Sequence, residues 1–396
     1  MKKLYMMTPG PTPIPPEVSA QEGLPILHHR TSEFSAIFGE VIKDLKHVFQ
    51  TQNDVLIMSS SGTGALESSV ANLLSPGDTA LVASAGVFGD RFIKIQEAYG
   101  VKTLVIRAPD GQVVDPEKIR EALKKNPDIK TVFTTHTETS TGVVNDIRAI
   151  GKVVAPTPAI LVVDAVSGLA GQDLQTDAWN IDVVCTGSQK GFMTAPGLAM
   201  VSLSPKAIPF VDSAKCPRFY FDYRKMRKTV TENQTPFTPP VTLLVAMAEA
   251  LRQIRKEGLS NALARHEWLA KATRAGVQAL GLKIFAQVPC NVLTSITVPD
   301  GVNGKAIVKR MREEYGVSIA GGQGDLVGKI IRIAHMGYMD RFDVVIALAG
   351  LEMILADMGS KIELGKGVAA AQRILITKPG APAPAAKAAP ATAGAR

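Results

Sequence analysis

Val183-Val184-Cys185-Thr186-Gly187-Ser188-Gln189-Lys190 decides how the rest of the chain is read. Its first four residues predict a strand buried on both faces, as in a mainly parallel sheet. Gly187 and Ser188 then predict a turn at that strand's carboxyl end. In open α/β sheets, ligands sit beyond the carboxyl ends of strands. A lysine at that place can reach into the crevice and form an imine with an aldehyde cofactor. Taken alone, a lysine after a strand is more often a solvated loop charge. Its neighbours in the fold have to decide.

Working outward, the apolar runs at residues 55–58, 80–83, 103–106, 131–134 and 160–163 read as further buried strands. Amphipathic stretches at 90–99 and 116–124 lie between them, and such alternation argues for a parallel sheet covered on both faces. Asp164 directly follows the run 160–163, also at a strand's carboxyl end. A buried carboxylate needs a partner, and a pyridine nitrogen held protonated would be one. After the run 55–58 comes Ser60-Ser61-Gly62-Thr63-Gly64-Ala65-Leu66-Glu67. Small residues opening a helix make a phosphate cradle from backbone N–H groups, the helix dipole and hydroxyls. The segment is neither a P-loop nor G-x-G-x-x-G, since it lacks the Gly-Lys-Ser/Thr ending and Glu67 stands at the third glycine position. Each signal is weak singly; their order along the chain is more specific.

Composition excludes other classes. The chain has 396 residues, 46% hydrophobic and 20% charged, with a formal charge of +8. That length fits two domains rather than one small core. No apolar run is long enough to span a membrane, and prolines 9, 11, 13, 15 and 16 break any signal-peptide core, so a cytoplasmic enzyme is expected. Cys185, Cys216 and Cys290 follow no metal-ligand or disulfide spacing; reduced thiols and no metal site are expected. The basic run Arg224-Lys225-Met226-Arg227-Lys228 carries no nucleic-acid motif and reads as a solvated face. The positive balance suits anionic cofactors and substrates. The proline-rich opening, residues 1–20, reads as an extended arm. A large domain is expected over 21–257, closed by a helix from Thr242 to about Lys256 and by Gly258. A small C-terminal α/β domain follows over 258–376, then a disordered Ala/Pro-rich tail over 377–396.

With those motifs in place, the chain resembles the class V aminotransferases, in their alanine/serine–glyoxylate and serine–pyruvate branch. The resemblance rests on residues 9–13, 29–34, 61–67, 86–89, 139–142, 163–166, 187–190 and 332–337, in the family's order. It implies the type I pyridoxal-phosphate (PLP) fold, α/β with a large mainly parallel sheet and a smaller C-terminal domain. It also implies transfer of an amino group from a small amino acid such as alanine or serine to glyoxylate or pyruvate, in a homodimer. At matching positions it implies Lys190 as the Schiff-base lysine and Asp164 as partner of the ring nitrogen. Gly62, Thr63 and Gln189 would hold the phosphate, with Ser61 a further cofactor contact and Thr238 reaching the phosphate from the other subunit. Phe88 would stack on the cofactor, Thr139 would lie near its phenolic oxygen, and Arg332 and Gly10 would meet the substrate. Some relatives carry tryptophan where Phe88 stands and tyrosine where Thr235 stands, so substrate preference does not transfer with the motif.

Two rival readings remain at this point. A cysteine desulfurase or another PLP lyase shares the fold; the desulfurase needs a reactive cysteine, for which Cys290 is the C-terminal candidate. A non-catalytic binding subunit would have no use for Lys190, Asp164 and Arg332.

Overall fold

The computed structural model describes residues 3–380. Its first residues run extended: Tyr5–Met6 pair in parallel with Val317–Ser318 far along the chain. The arm is shorter than expected, because helix α1 (Pro16–Glu22) starts at the last proline of the run. Proline at the first helical position loses no hydrogen bond and brings a preset φ.

Seven strands form the main sheet: β1 (Asp54–Ser60), β2 (Thr79–Ser84), β3 (Lys102–Arg107), β4 (Ile129–Thr135), β5 (Ile160–Asp164), β6 (Val183–Gly187) and β7 (Gly197–Leu203). Their spatial order is β1-β7-β6-β5-β4-β2-β3. Every pairing is parallel except those of β7, which runs against both β1 and β6. The sequence did not disclose β7, because Pro196-Gly197 looks like part of a turn. An antiparallel return needs only a short connection, here residues 188–196, and that connection carries Lys190.

Alternation explains why the sheet is buried on both faces. Val55, Ile57, Leu161, Val163 and Val184 enter one core, while Leu56, Met58, Val162, Val183 and Cys185 enter the other. Helices α2 (Gly62–Leu73) and α3 (Val87–Ala98) leave the carboxyl ends of β1 and β2. Helix α4 (Val241–Glu257) stops at Gly258, whose φ is +85°, and α5 (Leu259–Ala279) starts at once.

A third core gathers Trp268, Leu269, Ile296, Ile331, Ile333, Leu348 and Leu351. It lies on a small antiparallel sheet of β8 (Leu293–Thr297), β9 (Ala320–Gly321) and β10 (Ile330–Ala334), in the order β8-β10-β9. Helix α6 (Arg341–Asp357) packs there. Among the described residues no helix is long and apolar enough to cross a membrane. The Ala/Pro-rich tail lies, from residue 381 on, outside the described residues.

Candidate active site

Lys190 lies three residues beyond the end of β6, in a return loop pinned by Ser188. The Ser188 hydroxyl donates to Ala195 O at 2.6 Å, and its N–H to Leu198 O at 3.0 Å. The lysine is buried, 9% exposed, and its Nζ donates to the carbonyl of Pro9. Thr12 ties the arm to the same loop, its hydroxyl donating to Lys190 O at 2.9 Å and its N–H to Gln189 O at 3.2 Å. Between these contacts Gly10 has a φ of +130°, and a Cβ there would lie 2.3 Å from Nζ. No other residue fits at position 10 without moving the lysine. Burial disfavours the ammonium and brings the Lys190 pKa down to about 8; Asp164 opposes this, and Arg332 and Arg91 add to it.

Asp164 ends β5 and is 3% exposed. Its carboxylate accepts the N–H of Val166 at 2.9 Å. Burial pushes its pKa up to about 7, and the neighbouring Glu138 pushes the same way, while the Val166 N–H, Arg91 and Lys190 pull it back. A carboxyl in that state waits for a cationic partner. Asp164 and Lys190 line one cavity of about 100 Å³, together with Ser61, Gly62, Thr63, Phe88, Thr139 and Gln189. Eight of the residues singled out in the sequence therefore share one space.

The floor of the cavity is the start of α2. Ser61 makes no side-chain cap, so its hydroxyl is uncommitted, and the first N–H groups of the helix open beside it. Gln189 contributes a buried amide oxygen with no partner. Phe88 stands in the first turn of α3, half-buried.

Arg332, on β10, lies outside the lining of that cavity and meets it through Thr139. It is 4% exposed, with Nε and Nη2 donating to Gly321 O at 2.9 and 2.6 Å and Nη1 donating to Thr139 O at 2.7 Å. A guanidinium has five N–H donors; three are committed, which leaves one on each terminal nitrogen. Burial lowers the Arg332 pKa to about 10, opposed by Glu138. Thr139, whose hydroxyl bonds that of Ser167, joins this arginine to the cavity wall. Thr238 lies elsewhere, exposed in the segment before α4 and outside this cavity.

Sequence reasoning missed three neighbours. Arg91 lines the cavity, its Nη1 donating to the Thr63 hydroxyl at 2.8 Å and its guanidinium 4.6 Å from the Phe88 ring centroid. Its spacing of three from Phe88, which puts both on one helix face, was the available signal. Ser167 also lines the cavity. Glu138 is wholly buried and accepts from the Ser140 N–H and hydroxyl and from the N–H groups of Phe88 and Gly89. Burial raises its pKa against those bonds. It holds the first turn of α3 in place.

Cys290 does not serve the desulfurase reading. Its thiol is fully buried, donates to Leu293 O at 3.4 Å, and is pushed up by burial, away from the thiolate that such chemistry needs.

Comparison with known proteins agrees with the geometry. The family profile "Aminotransferase class-V" matches residues 5–344. An Anabaena cylindrica protein named as the 42 kDa subunit of soluble hydrogenase is 43% identical, covering 94% of this chain and 98% of its own. The L-aspartate–glyoxylate aminotransferase of Paracoccus denitrificans is 39% identical, over 92% of this chain and 94% of that protein. The crystal structure of pyridoxamine–pyruvate aminotransferase from Mesorhizobium loti superimposes with a TM-score of 0.91 at 30% identity, over 95% of this chain and 98% of that one. With a type I PLP fold, a family match across most of its length and a buried lysine facing a buried aspartate, the chain belongs to the PLP-dependent class V aminotransferases.

Proposed function

We propose that this enzyme moves an amino group from a small amino acid, alanine, serine or similar, to glyoxylate or pyruvate. The observation that carries the reading is the pair Lys190 and Asp164 on the walls of one cavity, with Arg332 bonded to Thr139 of the same wall. The acceptors named for the Paracoccus and Mesorhizobium relatives, glyoxylate and pyruvate, support it.

The donor set suits PLP. Gln189 has an unpartnered buried oxygen, the Ser61 hydroxyl is uncommitted, and Gly62 opens a helix, as a phosphate site needs. Thr63 and, from a second copy of the chain, the exposed Thr238 complete that set. The bound cofactor supplies an aldehyde and a ring that takes up electron density. Lys190, with a pKa near 8, has an appreciable neutral fraction at neutral pH, so its Nζ would be the amine that holds the aldehyde and the base that takes and returns the Cα proton. Asp164 would hold a protonated ring nitrogen, and that ion pair would favour its own charged form against the burial that now disfavours it. Phe88 would pack on the ring and Thr139 would stand near its phenolic oxygen, both lining the cavity. Arg332 grips the α-carboxylate through its two remaining N–H groups, with Gly10 against the substrate, and this turns Cα toward Nζ.

The reading takes the chain as a cytoplasmic homodimer with an N-terminal arm that ends where α1 begins at Pro16, domains over 21–257 and 258–376, and a tail over 377–396. Exposed Leu24, Ile26 and Leu27, close together in sequence, and the adjacent exposed Phe219 and Tyr220, both against the Phe237 ring, support the second copy, since large exposed apolar side chains mark contact surfaces. A subunit role like that in the Anabaena relative's name would leave Lys190, Asp164 and Arg332 without work. The test is an absorbance scan of the purified protein, followed by a panel of amino donors against glyoxylate and pyruvate. A near-visible band that bleaches with a donor and returns with an acceptor is expected. A protein that takes up PLP yet turns over no pair would overturn the reading.

A further inference from the structure

We infer that Arg91 is the cation that neutralises the cofactor's phosphate, an inference that rests on the cavity being the cofactor site. The argument is one of charge. A phosphate monoester carries about −1.5 to −2 near pH 7. The proposed cradle is neutral throughout, being hydroxyls of Ser61 and Thr63, the Gln189 amide and helix N–H groups. Burying such an anion without a countercharge is costly. The cavity is lined by two cations and one carboxylate: Lys190, Arg91 and Asp164. Lys190 is committed to the aldehyde and Asp164 to the ring nitrogen. Arg91 alone is left for the phosphate.

Its geometry fits the role. The Arg91 guanidinium already donates to Thr63, a residue of the cradle, at 2.8 Å. Among the described residues it has no ion-pair partner, whereas Asp90 beside it pairs with Arg107. The Phe88 ring, 4.6 Å away, gives the guanidinium a surface to stack on. Both side chains leave the first two turns of α3, whose Phe88 and Gly89 N–H groups are fixed by Glu138. An arginine held by a ring and a hydroxyl, with most of its donors unused, is poised for a multidentate anion.

The test compares two cofactor forms. Apoenzyme is titrated with PLP and with pyridoxal, which lacks the phosphate, following tryptophan fluorescence. For Arg91→Gln we expect PLP affinity to fall roughly 10- to 100-fold, and pyridoxal affinity to change less than about twofold. Arg91→Lys, which keeps the charge, should fall between wild type and Arg91→Gln. Equal losses for both forms would mean that Arg91 only packs the site, and undiminished PLP affinity would mean that the phosphate is neutralised otherwise; either result overturns the proposal. If Arg91→Gln does not fold, competition by inorganic phosphate against PLP in wild type and in Arg91→Met, which keeps the length of the side chain but not its charge, decides. Identical phosphate competition in the two would also overturn it. Failure of wild-type apoenzyme to bind PLP at all would sink the functional reading instead.

Discussion

The seven-stranded sheet and the three-stranded sheet bring their residues to the site by different physical routes. In the first, topology does the placing: β1, β5 and β6 run the same way, so Ser61, Asp164 and Lys190 emerge at one edge. None of these side chains leaves the middle of a strand. In the second, strand alternation does the placing. Arg332 sits inside β10 between Ile331 and Ile333, which enter the C-terminal core, so its side chain must leave by the other face. On the proposed reading, cofactor chemistry would be built on the edge of one core, and the substrate grip on the face of another. The two functions should be separable by mutation.

The largest effect tests the first half of that contrast. Lys190→Ala should lower turnover by roughly 10⁴-fold and abolish the absorbance band of the lysine-bound cofactor. The fold should survive, since a loop side chain contributes little to either core of the sheet. Normal transamination by this variant would remove the central residue from the edge-of-sheet site. Next, Asp164→Asn should keep cofactor bound but lose about 10²-fold or more in turnover, because a neutral amide cannot hold the ring nitrogen protonated. Donor affinity should change little. An unchanged rate would make Asp164 a structural residue.

Arg332→Lys tests the other half. A lysine keeps the charge but loses the planar fork, so donor affinity should weaken by about 10- to 100-fold, with PLP affinity near wild type. If both affinities fall together, the two regions are not separable and the comparison breaks. A pH series sharpens it further. With the Lys190 pKa near 8, the neutral amine fraction falls about tenfold for each pH unit below that value. The rate at which apoenzyme captures PLP should therefore rise with pH up to about 8 and then level off. A rise continuing toward 10 would mean that burial does not lower the lysine.

How much of this the sequence disclosed follows from the same contrast. Residues at strand carboxyl ends were readable because an apolar run followed by Asp, Lys or a Ser-Gly turn carries its own position. All six strands expected from apolar runs lie inside observed strands. What escaped depended on pairing or on facing. Strand β7 was hidden by Pro196-Gly197, and its place between β1 and β6 is set by pairing alone. Arg91 was hidden because a charged residue in an amphipathic stretch reads as solvent-facing, and here that face meets the cavity. Glu138 gave no signal, since its four donors come from its own turn and from α3, some 50 residues upstream. Arg332 was placed by its resemblance, and its committed donors could be seen only in three dimensions.

The smallest expected effect falls on the arm, which touches both regions. Tyr5–Met6 pair with Val317–Ser318, and the Ala334 N–H donates to Met7 O beside the end of β10. Five residues on, Thr12 holds the loop that carries Lys190. Thr12→Val keeps the shape of this buried side chain and removes its hydroxyl. Lys190 O would keep its bond from the Met193 N–H at 3.0 Å, so no carbonyl is left wholly unpaired. The loss should therefore be near the ordinary value of about 1 kcal/mol, seen as a melting shift of a few degrees. Turnover should drop only a few-fold, because Nζ keeps the Pro9 carbonyl but the loop beneath it gains freedom. Measured side by side, PLP affinity and donor affinity should shift by similar small amounts, unlike in any variant confined to one sheet. A change in only one of them would assign the arm to one region and deny it the linking role.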